Sequence, residues 1–237
     1  MNIHKLSFIE HEGFEMDVNA ETLDPNQAAQ AARSKARVRQ LLRAAARLMT
    51  TSGSQNVSMQ AVAEEANVSV GLIYRYFSSK QELVKVVIVG VLDDMAVHVP
   101  AATQEIVDPI RQLASALEAF IRVVDEHRSA VLLTYRESHN LDAEGLQAIK
   151  DAEVRTAQPL VAALQAAEAQ GLLLPMDIGV FGYDLLMMAH AWALKHWYFK
   201  GRTTLEDYIR NQVAIALSSC LRPEFRKTYA DLLGDLT

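Results

Sequence analysis

The 237-residue sequence is poor in cysteine, proline, glycine and long apolar runs, and each shortage excludes something. A single cysteine, Cys220, leaves no disulfide framework within one chain and no cysteine-based zinc site. The longest apolar run, Val86 to Leu92, is closed by Lys85 and Asp93. It falls far short of the roughly 20 residues that cross a bilayer. No apolar stretch near the first residues leads to a small-residue cleavage site, so a cytoplasmic protein is expected, with no membrane partner. Six prolines and ten glycines leave the chain room for long helices, and no segment sustains the two-residue alternation of a strand. Recognisable enzyme motifs are missing too: there is no G-x-S-x-G elbow, phosphate loop, H-E-x-x-H or paired-carboxylate arrangement. No enzyme and no cofactor are expected. His190 and His196, six residues apart, do not share a helical face as a metal pair would, so no metal site is expected either.

What is present is a soluble, globular composition with an uneven charge. Residues 1–24 hold six acids and one base; residues 25–80 hold eight bases and two acids; residues 81–237 hold 14 bases and 21 acids. A basic block inside an acidic chain points to one part that meets a polyanion and a remainder that does not. This balance argues against a sequence-independent DNA-packaging protein, which needs a dominant positive field.

The basic block is helical in pattern. From Arg33, residues Val38, Leu41, Leu42, Ala45, Leu48 and Met49 make one apolar face, and Gly53 ends the helix. Ser58 is placed to cap a short helix from Met59 to Ala66. Asn67 tolerates the left-handed conformation that a tight turn needs. Ser69 is placed to cap a second short helix, Val70 to Phe77, and Ser79 with Glu82 forms a capping-box pair that opens a longer helix to about Val97. Val62, Ala63, Ala66, Val68, Leu72, Ile73 and Phe77 would point inward. Ser69, Val70, Gly71, Tyr74, Arg75 and Tyr76 are left to face outward. Residues 58–76 therefore have the layout of a helix-turn-helix, whose second helix enters the major groove of DNA. Gly71 would allow a close approach, Ser69 and the tyrosine hydroxyls can bond to phosphates or bases, and Arg75 can reach phosphate or guanine. Lys80, in the first turn of the next helix, adds its charge to free backbone N–H groups.

The stretch VSMQAVAEEANVSVGLIYRYFSSKQEL resembles the DNA-binding domain of TetR/AcrR-type transcriptional regulators. Val62-Ala63, Val68-Ser69, Ile73-Tyr74, Tyr76-Phe77, Lys80 and Leu83 match that pattern, and Leu42, Ala45, Ala46 and Gly53 match its first helix. Asn67 stands where the family usually has glycine. The resemblance covers roughly residues 35–90. It implies an all-α protein: a three-helix DNA-binding domain followed by a helical ligand-binding and dimerisation domain. The expected divisions are an arm at 1–27, the DNA-binding domain at 28–80, the ligand and dimer domain at 81–222 and a tail at 223–237. By the same resemblance Ser58, Gln60, Ser69, Val70, Gly71, Tyr74, Tyr76 and Lys80 fall on DNA-contacting positions. Lys35 and Arg37 are added as backbone or minor-groove contacts, and Arg75 on chemical grounds.

Beyond Pro100 helices are expected near 103–124, 128–138, 142–170, 177–199 and 204–220. Breaks are expected at Pro109, Gly145, Gly171, Pro175 and Gly201. Pro223 argues against a long continuation. The 177–199 segment has two apolar stripes: Phe181, Leu185, Met188, Trp192 and Phe199 on one, and Tyr183, Met187, His190, Leu194 and Trp197 on the other. A helix with one buried face needs only one stripe, so one stripe is assigned to the chain's own domain and the other to a partner subunit, and the 204–220 helix joins the same homodimer. Such a dimer would hold a near-palindromic double-stranded operator. Tyr135, Arg136, His139, Met187, Met188 and Trp192 are the expected walls of an effector pocket, because methionine and aromatic side chains suit an apolar ligand and Arg136 an anionic head group. A small apolar or anionic effector, with an acyl-CoA ester or fatty acid as the nearest impression, would release a repressor from its operator.

Overall fold

The computed structural model describes residues 25–53, 56–138 and 141–234, and in these the protein is all-helical. The helices are α1 (Pro25–Ser52), α2 (Met59–Glu65), α3 (Val70–Tyr76), α4 (Lys80–Ala101), α5 (Pro109–Glu126), α6 (Arg128–Glu137), α7 (Ala143–Ala169), α8 (Ile178–Leu194), α9 (His196–Phe199), α10 (Leu205–Cys220) and α11 (Ala230–Leu233). A 3-10 helix, Pro223–Tyr229, precedes α11. The one β feature among the described residues is an isolated bridge between Leu173 and Leu221.

The chain forms two compact units. One comprises Met1–Asp94 and Leu132–Lys150, the other Met95–Val131 and Asp151–Thr237. The division falls inside α4, α6 and α7. Of the arm expected at 1–27, residues 1–24 lie outside the described residues, and Pro25 already opens α1.

In the first unit α1 buries Val38, Leu41, Leu42, Ala45 and Met49, as its spacing requires. The short helices α2 and α3 bury Val62, Ala63 and Ile73, and the residue that caps α3, Phe77, is buried with them. Helices this short are marginal alone, so their caps and this apolar seam hold them. Ser58 Oγ accepts from Ala61 N at 3.0 Å and Ser69 Oγ from Leu72 N at 3.3 Å. Asn67 has φ 52°, so the turn takes the left-handed conformation its side chain tolerates. Ser79 Oγ accepts from Glu82 N at 3.1 Å, but the Glu82 carboxylate reaches back to Ser78, whose N and Oγ both donate at 2.6 Å. The expected reciprocal box is thus shifted by one residue.

In the second unit α5 packs on α8 and α10. It buries Ile110, Leu113, Leu117, Phe120, Ile121 and Val124 on one face. Pro109 starts this helix instead of breaking one. Its missing N–H is harmless in the first turn, and Asp108 Oδ1 accepts from Ile110 N and Arg111 N. Gly145 likewise lies in the first turn of α7, where Asp142 Oδ1 accepts from its N at 2.8 Å. Gly182 marks a close crossing, since a Cβ there would meet Val161 Cγ2 at 2.8 Å. The helix expected over 177–199 ends at Leu194 and restarts as α9.

The last described residues are docked. Tyr229 Oη donates to Asp108 Oδ2 at 2.9 Å, Arg111 makes two bonds to the Asp231 carboxylate, and Leu233 is buried.

His190 gives this unit a pH dependence. It lies buried on α8 with its ring 5.7 Å from that of Phe120. Burial pulls its pKa down from the ordinary 6.5 to about 4. Between those values the unfolded chain binds a proton that the folded chain refuses. Stability is therefore complete above about pH 6.5 and falls as pH drops toward 4, by roughly 3 kcal/mol at most. Urea midpoints at pH 7.5 and pH 5 should differ less for His190→Gln than for the parent; an equal pH response would clear His190 as the source.

Candidate nucleic-acid interface and effector residues

The exposed face of the helix-turn-helix carries the residues expected there. Ser58, Gln60, Ser69, Val70, Gly71, Tyr74 and Arg75 are exposed, with Tyr74 at 54%, while Tyr76 and Lys80 are half-buried. Val68 and Leu72 turn inward only in part. Lys35 lies within α1, and its side chain lies outside what the structure describes.

Three side-chain ties brace this surface from α1. Gln40 Nε2 donates to the Ala66 carbonyl at 2.6 Å, at the foot of the turn, and Arg37 donates to Gln40 Oε1 at 2.9 Å. Arg47 pairs with Glu65 at 3.0 Å. Ser34 Oγ donates to Tyr76 Oη at 3.3 Å. The bonds from Ser34 and then Arg75 favour the phenolate and lower the Tyr76 pKa. None of these three ties follows from helical periodicity, because each joins residues far apart in sequence. The basic helix pattern around 33–47 was the available signal, and it does not say which bases face inward to α2.

Gly71 is informative for what surrounds it. A Cβ there would meet nothing within 4 Å, and its backbone is right-handed. Glycine inside a helix costs about 0.5–1 kcal/mol relative to alanine. Nothing among the described residues requires glycine here.

The expected effector residues divide between the two units. Tyr135 and Arg136 are exposed near the end of α6, in the first unit; His139 lies outside the described residues. Met187, Met188 and Trp192 belong to the second. Trp192 is 4% exposed. Its Nε1 donates to Asp125 Oδ1 at 2.7 Å, and its ring stacks on Phe199 at 5.6 Å and packs against Tyr208 at 4.8 Å. Asp125 also pairs with Arg128, which approaches His196 Nε2 at 3.1 Å. Burial and then the Arg128 charge lower the His196 pKa. Tyr208, buried and raised to about 12, donates to the Met188 carbonyl. Trp192 is thus a core residue of α8 in this structure, while Met187 is exposed and Met188 half-buried.

The two stripes expected on 177–199 separate as well. Leu185 and Trp192 are buried. On the other side Val180, Tyr183 and Met187 are exposed, as are Trp197 on α9, at 74%, and Ile215 on α10. His190 is the exception and turns inward. Among the described residues no helix is long and apolar enough to cross a membrane, and no group of three His, Cys, Asp or Glu side chains is placed to hold a metal ion.

A capped helix-turn-helix braced on a basic helix, followed by a second helical unit, defines a DNA-binding transcriptional regulator. The profile described as bacterial regulatory proteins, tetR family, matches residues 41–87, and that of the tetracyclin repressor-like C-terminal domain matches residues 107–220. The HTH-type transcriptional regulator HbdR of Aromatoleum sp. (strain CIB) is 33% identical over 182 residues, 77% of this chain and 80% of that protein. The chain belongs to the TetR family. The fold is shared with the ketosteroid transcriptional regulator KstR2 of Mycobacterium tuberculosis (TM-score 0.64, 21% identity, 78% of this chain and 95% of that one). It is also shared with AibR, solved in complex with isovaleryl coenzyme A and operator DNA (TM-score 0.66, 24% identity, 77% of this chain and 97% of that one). The family and these relatives are transcriptional regulators, not enzymes or packaging proteins.

Proposed function

We propose that the protein is a homodimeric repressor that leaves a near-palindromic operator when a small effector binds, and that the effector is an acyl-CoA ester or related anionic lipid. The observation that carries this reading is the position of Tyr135 and Arg136. Their segment, Leu132–Lys150, belongs to the same compact unit as the helix-turn-helix. Within that unit Lys85 of α4 bonds Glu144 of α7 at 2.9 Å. A ligand that engages Arg136 therefore acts on the body that carries α2 and α3, with no longer route required. Such coupling needs only a few kcal/mol of differential binding between two arrangements.

Two further features support the reading. Ser58, Gln60, Ser69, Val70, Gly71, Tyr74, Arg75 and Lys80 form the operator-facing set, with Arg37 and Lys35 of α1 as further contacts. Val180, Tyr183, Met187, Trp197 and Ile215 are apolar, exposed and on the helices that expect a second copy. AibR, a relative in fold, was solved with an acyl-CoA and with operator DNA.

The test is a thermal-shift screen against acyl-CoAs, free fatty acids, aromatic acids and cationic drugs, followed by operator release with each hit. CoA esters should raise the melting temperature and release operator, and Arg136→Ala should abolish both effects. A response confined to cationic drugs would overturn the anionic-effector reading. Sedimentation of the purified chain as a monomer would overturn the dimer.

A further inference from the structure

We infer that Tyr76 is a positioning residue in DNA reading: it holds the Arg75 guanidinium at the outer surface of α3 and is itself latched to α1 by Ser34. The inference rests on the reading above that the exposed face of α3 meets DNA.

Three contacts carry it. The Arg75 guanidinium carbon lies 5.5 Å from the centroid of the Tyr76 ring. Arg75 NH2 also donates to Tyr76 Oη at 3.5 Å, so the ring face and the hydroxyl hold the same group. Ser34 Oγ donates to that hydroxyl from 42 residues away, which fixes the ring against α1. Arg75 is exposed and Tyr76 half-buried, so the tyrosine is the support and the arginine the presented group. An arginine side chain has many rotamers to lose when it is held in one geometry. Holding it in place before binding removes part of that loss from the binding step. The guanidinium has five N–H donors in a fixed fork. One is directed to Tyr76, and the others are left to take a phosphate or the O6 and N7 edge of guanine.

The test is a double-mutant cycle on operator affinity, measured across a salt series. Arg75→Gln should weaken binding about tenfold and lower the slope of log affinity against log salt by about 0.9, the loss of one neutralised phosphate. Tyr76→Leu should weaken binding threefold to tenfold with the slope unchanged, since no charge is removed. In the Arg75→Gln background Tyr76→Leu should have almost no further effect. Additive losses would overturn the inference, because they would mean that Tyr76 meets DNA on its own account. Tyr76→Phe keeps the ring and the fold; it and Ser34→Ala should give the same smaller loss, and an effect of either in the Arg75→Gln background again overturns the inference. If Arg75→Gln changes neither affinity nor slope, the DNA-facing assignment of this part of α3 fails together with the inference.

Discussion

Replacing Trp192 with alanine is expected to remove about 3–5 kcal/mol of stability, the range for deleting a large buried aromatic side chain. The physical reason is the number of elements that converge on this one ring. It comes from α8, stacks on Phe199 of α9, packs on Tyr208 of α10 and donates its indole N–H to Asp125 of α5. The alanine variant leaves a cavity and withdraws one donor from Asp125. Against the typical 5–15 kcal/mol of a folded domain, that loss is large. Trp192→Phe separates the two contributions, since it keeps most of the stack and costs about 1–3 kcal/mol for the lost hydrogen bond. Urea unfolding of the three proteins checks the order. An unchanged midpoint for Trp192→Ala would mean that the residue lines a space instead of filling one. The consequence for function is direct: an altered effector response in Trp192→Ala would report damage to α8. Arg136→Ala, at an exposed position, should leave stability within about 0.5 kcal/mol and is the cleaner probe.

Trp192 marks the limit of what helical periodicity carries. Its helical period puts it on one stripe with Leu185, the stripe that is buried, but the period alone does not say which of the two stripes faces inward. Whether an inner aromatic residue lines a pocket or fills a core depends on partners from other helices, and Asp125 is 67 residues away. The same limit applies at the C-terminus. Pro223 correctly ended α10, but the docking of Tyr229 on Asp108 joins residues 121 apart and leaves no local pattern. Local devices were legible. Ser58, Ser69 and Asn67 each act within a few residues of themselves, and each does what its chemistry dictates. Proline and glycine were ambiguous because their meaning changes with position. Pro109 reads as a breaker until Asp108 is recognised as its cap, and Gly145 until Asp142 is. Most of the outer face of α3 is legible for the opposite reason to Trp192: Val70, Gly71 and Tyr74 are exposed, and an exposed residue needs little knowledge of the rest of the chain, whereas the tie from Ser34 to Tyr76 does.

Gly71 turns that last point into an expected result. Gly71→Ala should raise the melting temperature, because it removes about 0.4–1 kcal/mol of helix cost and its Cβ meets no atom within 4 Å. The same change should weaken operator binding about tenfold, or 1.4 kcal/mol, and Gly71→Leu should weaken it a hundredfold or more. Affinity for random DNA should change far less, since non-specific binding rests on phosphate charge and not on close groove contact. The opposite signs are the argument. A glycine retained for folding would lower stability when replaced, and a glycine of no consequence would raise stability and leave binding alone. A more stable fold that has lost its operator would leave one explanation for Gly71: the space beside it is filled by the DNA. A Gly71→Leu protein that still binds operator normally would move the close approach off this residue and toward Ser69 and Val70 at the start of α3.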